Sequence, residues 1–180
     1  MTNTKILALL LMAGSLALMI SLQPGCSEGT SRAAGCTKGQ SDCIPDVSYI
    51  DTNGVAYSAQ SLTGKVVVVN FWATWCKPCL KEIPDLSKVY EKYKKDVVML
   101  GVLSSDNPDS GTLLNFQSDN EMTYPVVRES SDILMSYNYP RNLPTTFIFD
   151  RTGRKVYNHV GALAAAKLVE ILEPLIKTTD

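Results

Sequence analysis

Apolar and polar positions divide this chain into an apolar leader, a polar stretch and a regular succession of strand-like and helix-like segments. Ile6 to Leu22 is apolar except for Gly14, Ser15 and Ser21, and Glu28 to Asp42 is rich in Gly, Ser, Thr and Lys. From Pro45 onward the periodicity becomes readable. Val47–Ile50 and Val55–Tyr57 flank the turn-rich Asp51-Thr52-Asn53-Gly54, which predicts a hairpin. Lys65–Phe71, with four consecutive valines at 66–69, predicts a strand buried on both faces. Leu80, Ile83, Leu86, Val89, Tyr90 and Tyr93 repeat at helical spacing, with Pro84 expected to kink the helix. A strand over Val97–Leu103, a helix over Asp109–Asn120, a short strand at Val126–Val127 and a helical turn at Ile133–Tyr137 follow. Thr145–Phe149 and Lys155–Val160 flank Asp150-Arg151-Thr152-Gly153, a second hairpin signal. Ala164–Ile176 is an amphipathic helix that Pro174 should end or bend. An early β-α-β unit makes strands parallel and a late hairpin makes them antiparallel. The expected fold class is therefore α/β: a mixed central sheet flanked by helices, with an N-terminal hairpin and an inserted helical segment.

The leader changes the picture from a fold to an address. A basic start at Lys5 followed by an apolar core is the layout of a signal peptide or, if uncleaved, of a membrane anchor slightly shorter than the roughly 20 residues that span comfortably. This gives residues 1–25 as leader, 26–44 as flexible tether and 45–180 as the domain. Gln23-Pro24-Gly25-Cys26 resembles the lipobox of bacterial lipoproteins, which implies an acylated Cys26; Gln23 stands where that motif carries an aliphatic residue. Composition adds little beyond exclusions. With 45% hydrophobic and 19% charged residues the chain is neither disordered nor fibrous. A net charge of −1, with Lys92, Lys94 and Lys95 at one predicted helix end, gives no basis for a nucleic-acid partner.

Five cysteines, at 26, 36, 43, 76 and 79, are an odd number for an exported protein, and acylation of Cys26 would leave two pairs. Cys36 and Cys43 are either a structural bridge or a second redox pair passing electrons onward. Cys76 and Cys79 form a C-x-x-C between the buried strand and the long helix. Unpaired N–H groups and the positive end of the helix dipole stabilise a thiolate there, Lys77 adds positive charge, and Pro78 suits a first turn. Residues i and i+3 on a helix meet disulfide geometry. Cys76, nearer the helix end, is the expected attacking thiolate and Cys79 the resolving thiol. A zinc site would need two further ligands, and His159 is distant in sequence, so no metal is expected. No cofactor is expected beyond the Cys76–Cys79 disulfide itself.

Val69-Asn70-Phe71-Trp72-Ala73-Thr74-Trp75-Cys76-Lys77-Pro78-Cys79 resembles the thioredoxin superfamily motif. Leu80-Lys81-Glu82-Ile83-Pro84 narrows the resemblance to the TlpA/ResA-like exported thiol–disulfide oxidoreductases, and Leu143-Pro144-Thr145-Thr146-Phe147 matches their other landmark. The resemblance spans about residues 45–176. It implies a thioredoxin-like fold, a cis Pro144 beside the cysteines, and backbone groups of Leu143 offered to an extended substrate peptide. It implies that Glu82 is a partly buried acid serving the thiols, and that Trp75 packs at the site and touches substrate. Asn70 stands where thioredoxins carry a titrating aspartate, so acid–base duty would fall to Glu82. The implied partners are disulfide-containing exported proteins such as apocytochrome c, the membrane surface, and a membrane thiol donor of the DsbD/CcdA type. The implied location is the periplasm or the outer face of a bacterial membrane. Two other functions stay open. One is an oxidase or isomerase on the same cysteines, since Lys77-Pro78 does not set the direction. The other is a copper-binding chaperone, although the wider cysteine spacing and dedicated histidine of such proteins are absent.

Overall fold

Seven consecutive buried residues, Val66–Trp72, form the strand around which the domain is built. The computed structural model describes Cys36 and residues 42–178; the leader, Cys26 and most of the expected tether lie outside the described residues. In chain order the elements are β1 (Tyr49–Ile50), β2 (Ala56–Tyr57), α1 (Ala59–Leu62), β3 (Val66–Trp72), α2 (Lys77–Tyr93), β4 (Val97–Leu103), α3 (Ser110–Asp119), β5 (Val126–Arg128), α4 (Ser131–Ser136), β6 (Thr145–Phe149), β7 (Lys155–Val160) and α5 (Ala165–Lys177). The main sheet has the order β5-β4-β3-β6-β7. β3 and β5 run parallel to β4, and β6 and β7 are antiparallel additions. This is the expected mixed sheet with a separate N-terminal hairpin of β1 and β2.

Alternation along β3 feeds two cores. Val66, Val68 and Trp72 join Ile83 and Leu86 of α2, Leu113 of α3 and Leu168 and Leu172 of α5 on one face. Val67, Val69 and Phe71 join Tyr49, Ile133, Tyr137 and Phe147 on the other. Every side chain of β3 is therefore withdrawn from water, which is what its unbroken β-branched run requires. The two parallel neighbours of β3 and β4 need crossovers, supplied by α2 and by the segment holding α3.

Most predicted elements appear with ends shifted by a residue or two. Asp109 caps α3, its Oδ1 accepting from Thr112 N at 3.0 Å. The hairpin is shorter than expected because Asp51 turns the chain itself: its Oδ1 accepts the N–H groups of Asn53 (2.8 Å) and Val55 (2.9 Å). Pro84 and Pro174 both lie inside assigned helices, α2 and α5. The four-residue α1 was not foreseen; Ser58 and Ser61 close it with a reciprocal capping box.

Cys36 and Cys43 are joined by a disulfide with a Cα separation of 5.5 Å. Both partners are stitched to the β6–β7 turn. Cys36 N donates to Thr152 O (3.4 Å), Ile44 N to Gly153 O (2.7 Å) and Lys155 N to Asp42 O (2.6 Å), and Cys43 bridges Arg154. Pairing with the domain thus begins before residue 45. Val67 at the start of β3 lies opposite Phe149, and Phe71 at its end lies opposite Thr145. The β6–β7 turn therefore sits at the far end of β3 from Cys76, about 20 Å away at roughly 3.3 Å per residue. That separation favours a structural bridge over direct electron transfer between the pairs. Replacing both Cys36 and Cys43 with Ser should cost about 2 kcal/mol in denaturant unfolding and leave the exchange rate at Cys76 intact. A rate loss at unchanged stability would instead support a relay.

Candidate functional site

β3 delivers the chain to the site, and α2 carries it away. Cys76 is the N-cap of α2, with extended backbone (φ −82°, ψ 97°), and its carbonyl accepts the first helical bond from Leu80 N at 3.1 Å. Cys79 N donates to Cys76 Sγ at 3.3 Å. The sulfur of Cys76 thus occupies the place where a capping oxygen ordinarily satisfies an orphan helix donor. Reduced to a thiolate, it would gain both that bond and the dipole. The two cysteines are joined, with a Cα separation of 5.3 Å. Cys76 is 3% exposed and Cys79 is 0% exposed. The two sulfur-bearing residues therefore differ little in exposure in this disulfide form.

The loop before Cys76 is fixed by contacts that sequence reasoning missed. Asp106 Oδ2 accepts from Thr74 N (2.7 Å) and Thr74 Oγ1 (2.6 Å). Trp75 is 61% exposed, and its Nε1 donates to Ser105 O at 3.2 Å. Its indole is therefore held in place while its faces remain open to solvent.

Glu82 lies one turn beyond Cys79 and is 4% exposed. Its Oε1 accepts from Asn70 Nδ2 (2.9 Å) and its Oε2 from Leu163 N (2.7 Å). Burial lifts its carboxyl to about 6, against the lowering effect of the hydrogen bonds from Leu163 and Asn70. Asn70 Nδ2 also donates to Thr146 Oγ1 at 3.0 Å, so the non-titrating residue serves as a bracket between α2, β3 and β6. Tyr124 is buried behind this group, and burial, then the charge of Glu82, hold its phenol well above its usual range. Gly101 makes room there: a Cβ at 101 would stand 2.8 Å from Tyr124 Cε2 and 3.0 Å from Trp72 Nε1. Trp72 is buried and stacked on Phe116 at 5.2 Å, as a packing group.

The Leu143–Pro144 peptide bond is cis. Pro144 is buried and immediately precedes β6, at the same end of the sheet as Cys76. Pro144 O accepts from Gly161 N at 2.8 Å, which ties this loop to the end of β7. Among the described residues nothing hydrogen-bonds to the backbone of Leu143. His159 lies on β7, in the sheet as expected of a strand residue, stacked on Tyr157 and opposite Thr146 in register. Taken together, a cysteine pair at a helix start, a buried acid with a raised pKa and an adjacent cis-proline loop can support thiol–disulfide exchange.

Known proteins resemble this chain in sequence and in fold. The model of the AhpC/TSA family matches residues 41–157. The thiol-disulfide oxidoreductase ResA of Bacillus thuringiensis subsp. konkukian is 32% identical over 132 residues, 73% of this chain and 75% of the relative. A thiol:disulfide interchange protein of the thioredoxin family from Chlorobium tepidum superposes with a TM-score of 0.65 at 26% identity, covering 78% of this chain and 99% of that one. The pneumococcal exposed lipoprotein thioredoxin from Streptococcus pneumoniae does so with a TM-score of 0.61 at 26% identity, covering 72% and 99%. The chain belongs to the thioredoxin-like AhpC/TSA family and is a thiol–disulfide oxidoreductase of the ResA and DsbE kind.

Proposed function

We propose that this enzyme is exported and reduces disulfides of extracytoplasmic proteins, apocytochrome c among them, through Cys76 and Cys79. The observation that carries the reading is the Cys76–Cys79 pair at the α2 N-terminus, one turn from buried Glu82. In the reducing direction the Cys76 thiolate attacks a substrate disulfide. A Cys76–substrate bond forms and one substrate sulfur leaves as a thiolate. Cys79, giving its proton to the Glu82 carboxylate, then attacks Cys76 Sγ and expels the second substrate sulfur. Two electrons pass to the substrate, whose two thiolates take up one proton released by Glu82 and one from solvent, where Cys76 had lost its own, and the enzyme is left as the Cys76–Cys79 disulfide. Leu143, Pro144 and Trp75 supply the surface on which the substrate peptide lies. A membrane thiol donor of the DsbD/CcdA type would return the electrons. Residues 1–25 would direct export, with lipidated Cys26 holding the domain at the membrane; the exposed lipoprotein thioredoxin of S. pneumoniae is a relative in fold that supports this placement.

Cys79→Ser should leave Cys76 covalently linked to its substrate, and mass spectrometry of complexes trapped in the exported fraction identifies that partner. Recovery of Cys79→Ser with no mixed disulfide at Cys76 would count against the mechanism. A potential near about −270 mV fits the reductase, and one near about −120 mV would make the protein an oxidase.

A further inference from the structure

Strained backbone gathers beside the cysteine pair. Among the described residues four that are not glycine have positive φ, and three of them, Ser105 (55°), Asn138 (56°) and Tyr139 (51°), lie in the two loops that flank one groove. Left-handed backbone is unfavourable for a residue with a Cβ, and such strain concentrates at ligand sites. The groove encloses about 400 Å³ and is lined by Trp75, Ser105, Tyr139, Pro140, Arg141 and Leu143, among others. Two of its walls are large exposed rings, Trp75 at 61% and Tyr139 at 50%. It adjoins both Cys76, through Trp75, and cis Pro144, through Leu143.

Its charges are unevenly committed. Glu129 Oε2 accepts from Ser104 Oγ (2.5 Å) and Ser105 N (3.0 Å), and Asp106 is bound by Thr74. The described arginines outside the groove, Arg128, Arg151 and Arg154, are each engaged by acceptors. Arg141 is exposed and forms no ion pair with any described residue, and Lys77, next to Cys76 in sequence, is exposed as well. The groove thus offers aromatic surface and an uncommitted guanidinium, a group suited to pairing with a carboxylate.

We propose that this groove selects substrates: it seats an aromatic side chain beside the substrate cysteine against Trp75 and Tyr139, while Arg141 binds an acidic residue of the same peptide. The proposal rests on the thiol–disulfide reading and names its substrate class, an acidic, aromatic-bearing cysteine segment in extended form.

The test uses the reduced full chain and two synthetic disulfide peptides, identical except that Phe-Asp or Phe-Lys flanks one cysteine. Bis(2-hydroxyethyl) disulfide serves as a small neutral substrate. The wild type should reduce the Asp peptide about two- to fivefold faster in kcat/KM, the margin expected of an exposed ion pair, and the preference should shrink with added salt. Arg141→Gln should equalise the two peptides, and Arg141→Glu should invert the preference. In a Gly-Asp peptide the loss of the ring should slow the wild type but not Tyr139→Ser. The same Asp-to-Lys ratio in wild type, Arg141→Gln and Arg141→Glu overturns the assignment of the groove. Failure of the wild type to reduce the small disulfide as well as the peptides overturns the thiol–disulfide reading instead.

Discussion

Cys76→Ser should abolish disulfide exchange, lowering the rate by at least about a thousandfold, while the domain stays folded. A serine hydroxyl is not ionised near neutrality and cannot form the sulfur–sulfur bond on which both half-reactions depend. The substitution is nearly isosteric, and the oxygen can still accept the N–H of Cys79 that Cys76 Sγ receives now. The start of α2 should therefore survive, with unfolding close to that of the reduced wild type. Cys79→Ser differs in kind: the attack still occurs and the enzyme stops at the mixed disulfide. The pair of variants separates the two roles despite the similar burial of both sulfurs, 3% and 0% exposed. Thiol release from a protein disulfide, followed over time, is the measurement. If Cys76→Ser kept more than about a tenth of the rate, or if it were the variant that trapped substrate, the attacking role would belong to Cys79.

The parts of this site that could be read in the sequence are those that local pattern encodes. Four valines in a row made β3 evident, the helical spacing after Cys79 made α2 evident, and the junction of the two placed the cysteines at a helix start. The parts that could not be read depend on partners brought together by the fold. Asp106 reaches Thr74 across 32 positions, and Tyr49 Oη meets Tyr137 Oη at 2.8 Å across 88. Leu163 holds Glu82 with a backbone N–H, which any non-proline residue would supply, so no side chain advertises it. Asn70 was legible as a group that cannot titrate. That it donates to both Glu82 and Thr146 needed β6 beside β3. The helix α1 has too few residues for a period, and its only sequence signal is Ser58 with Ser61. Cys36 and Cys43 looked like part of a tether because nothing near them in sequence repeats, and their partners belong to the β6–β7 turn more than a hundred positions on.

The raised carboxyl of Glu82 makes a second large effect measurable. With a folded value of about 6 against 4.5 for the ordinary group, the native state holds this proton more tightly than the unfolded chain. Stability should therefore fall as pH rises from about 4.5 to about 6 and level off above that, this group alone accounting for a change on the order of 2 kcal/mol. The native state keeps this group as a carboxylate at neutral pH at that cost, and in the proposed resolving step that carboxylate would serve as the base for Cys79. The wild-type rate should accordingly climb through an inflection near pH 6 as Glu82 ionises. Glu82→Gln should lose the inflection and run about ten- to a hundredfold slower at pH 7, with the remaining pH dependence set by the thiols. Stability will separate the variants less well at neutral pH. Gln relieves the buried charge, but its single carbonyl can accept from only one of Asn70 Nδ2 and Leu163 N, and the other donor then faces an amide. The pH profile is thus the decisive readout. A Glu82→Gln enzyme that keeps both the rate and the inflection near pH 6 would assign the carboxylate to structure and leave the proton of Cys79 to another acceptor.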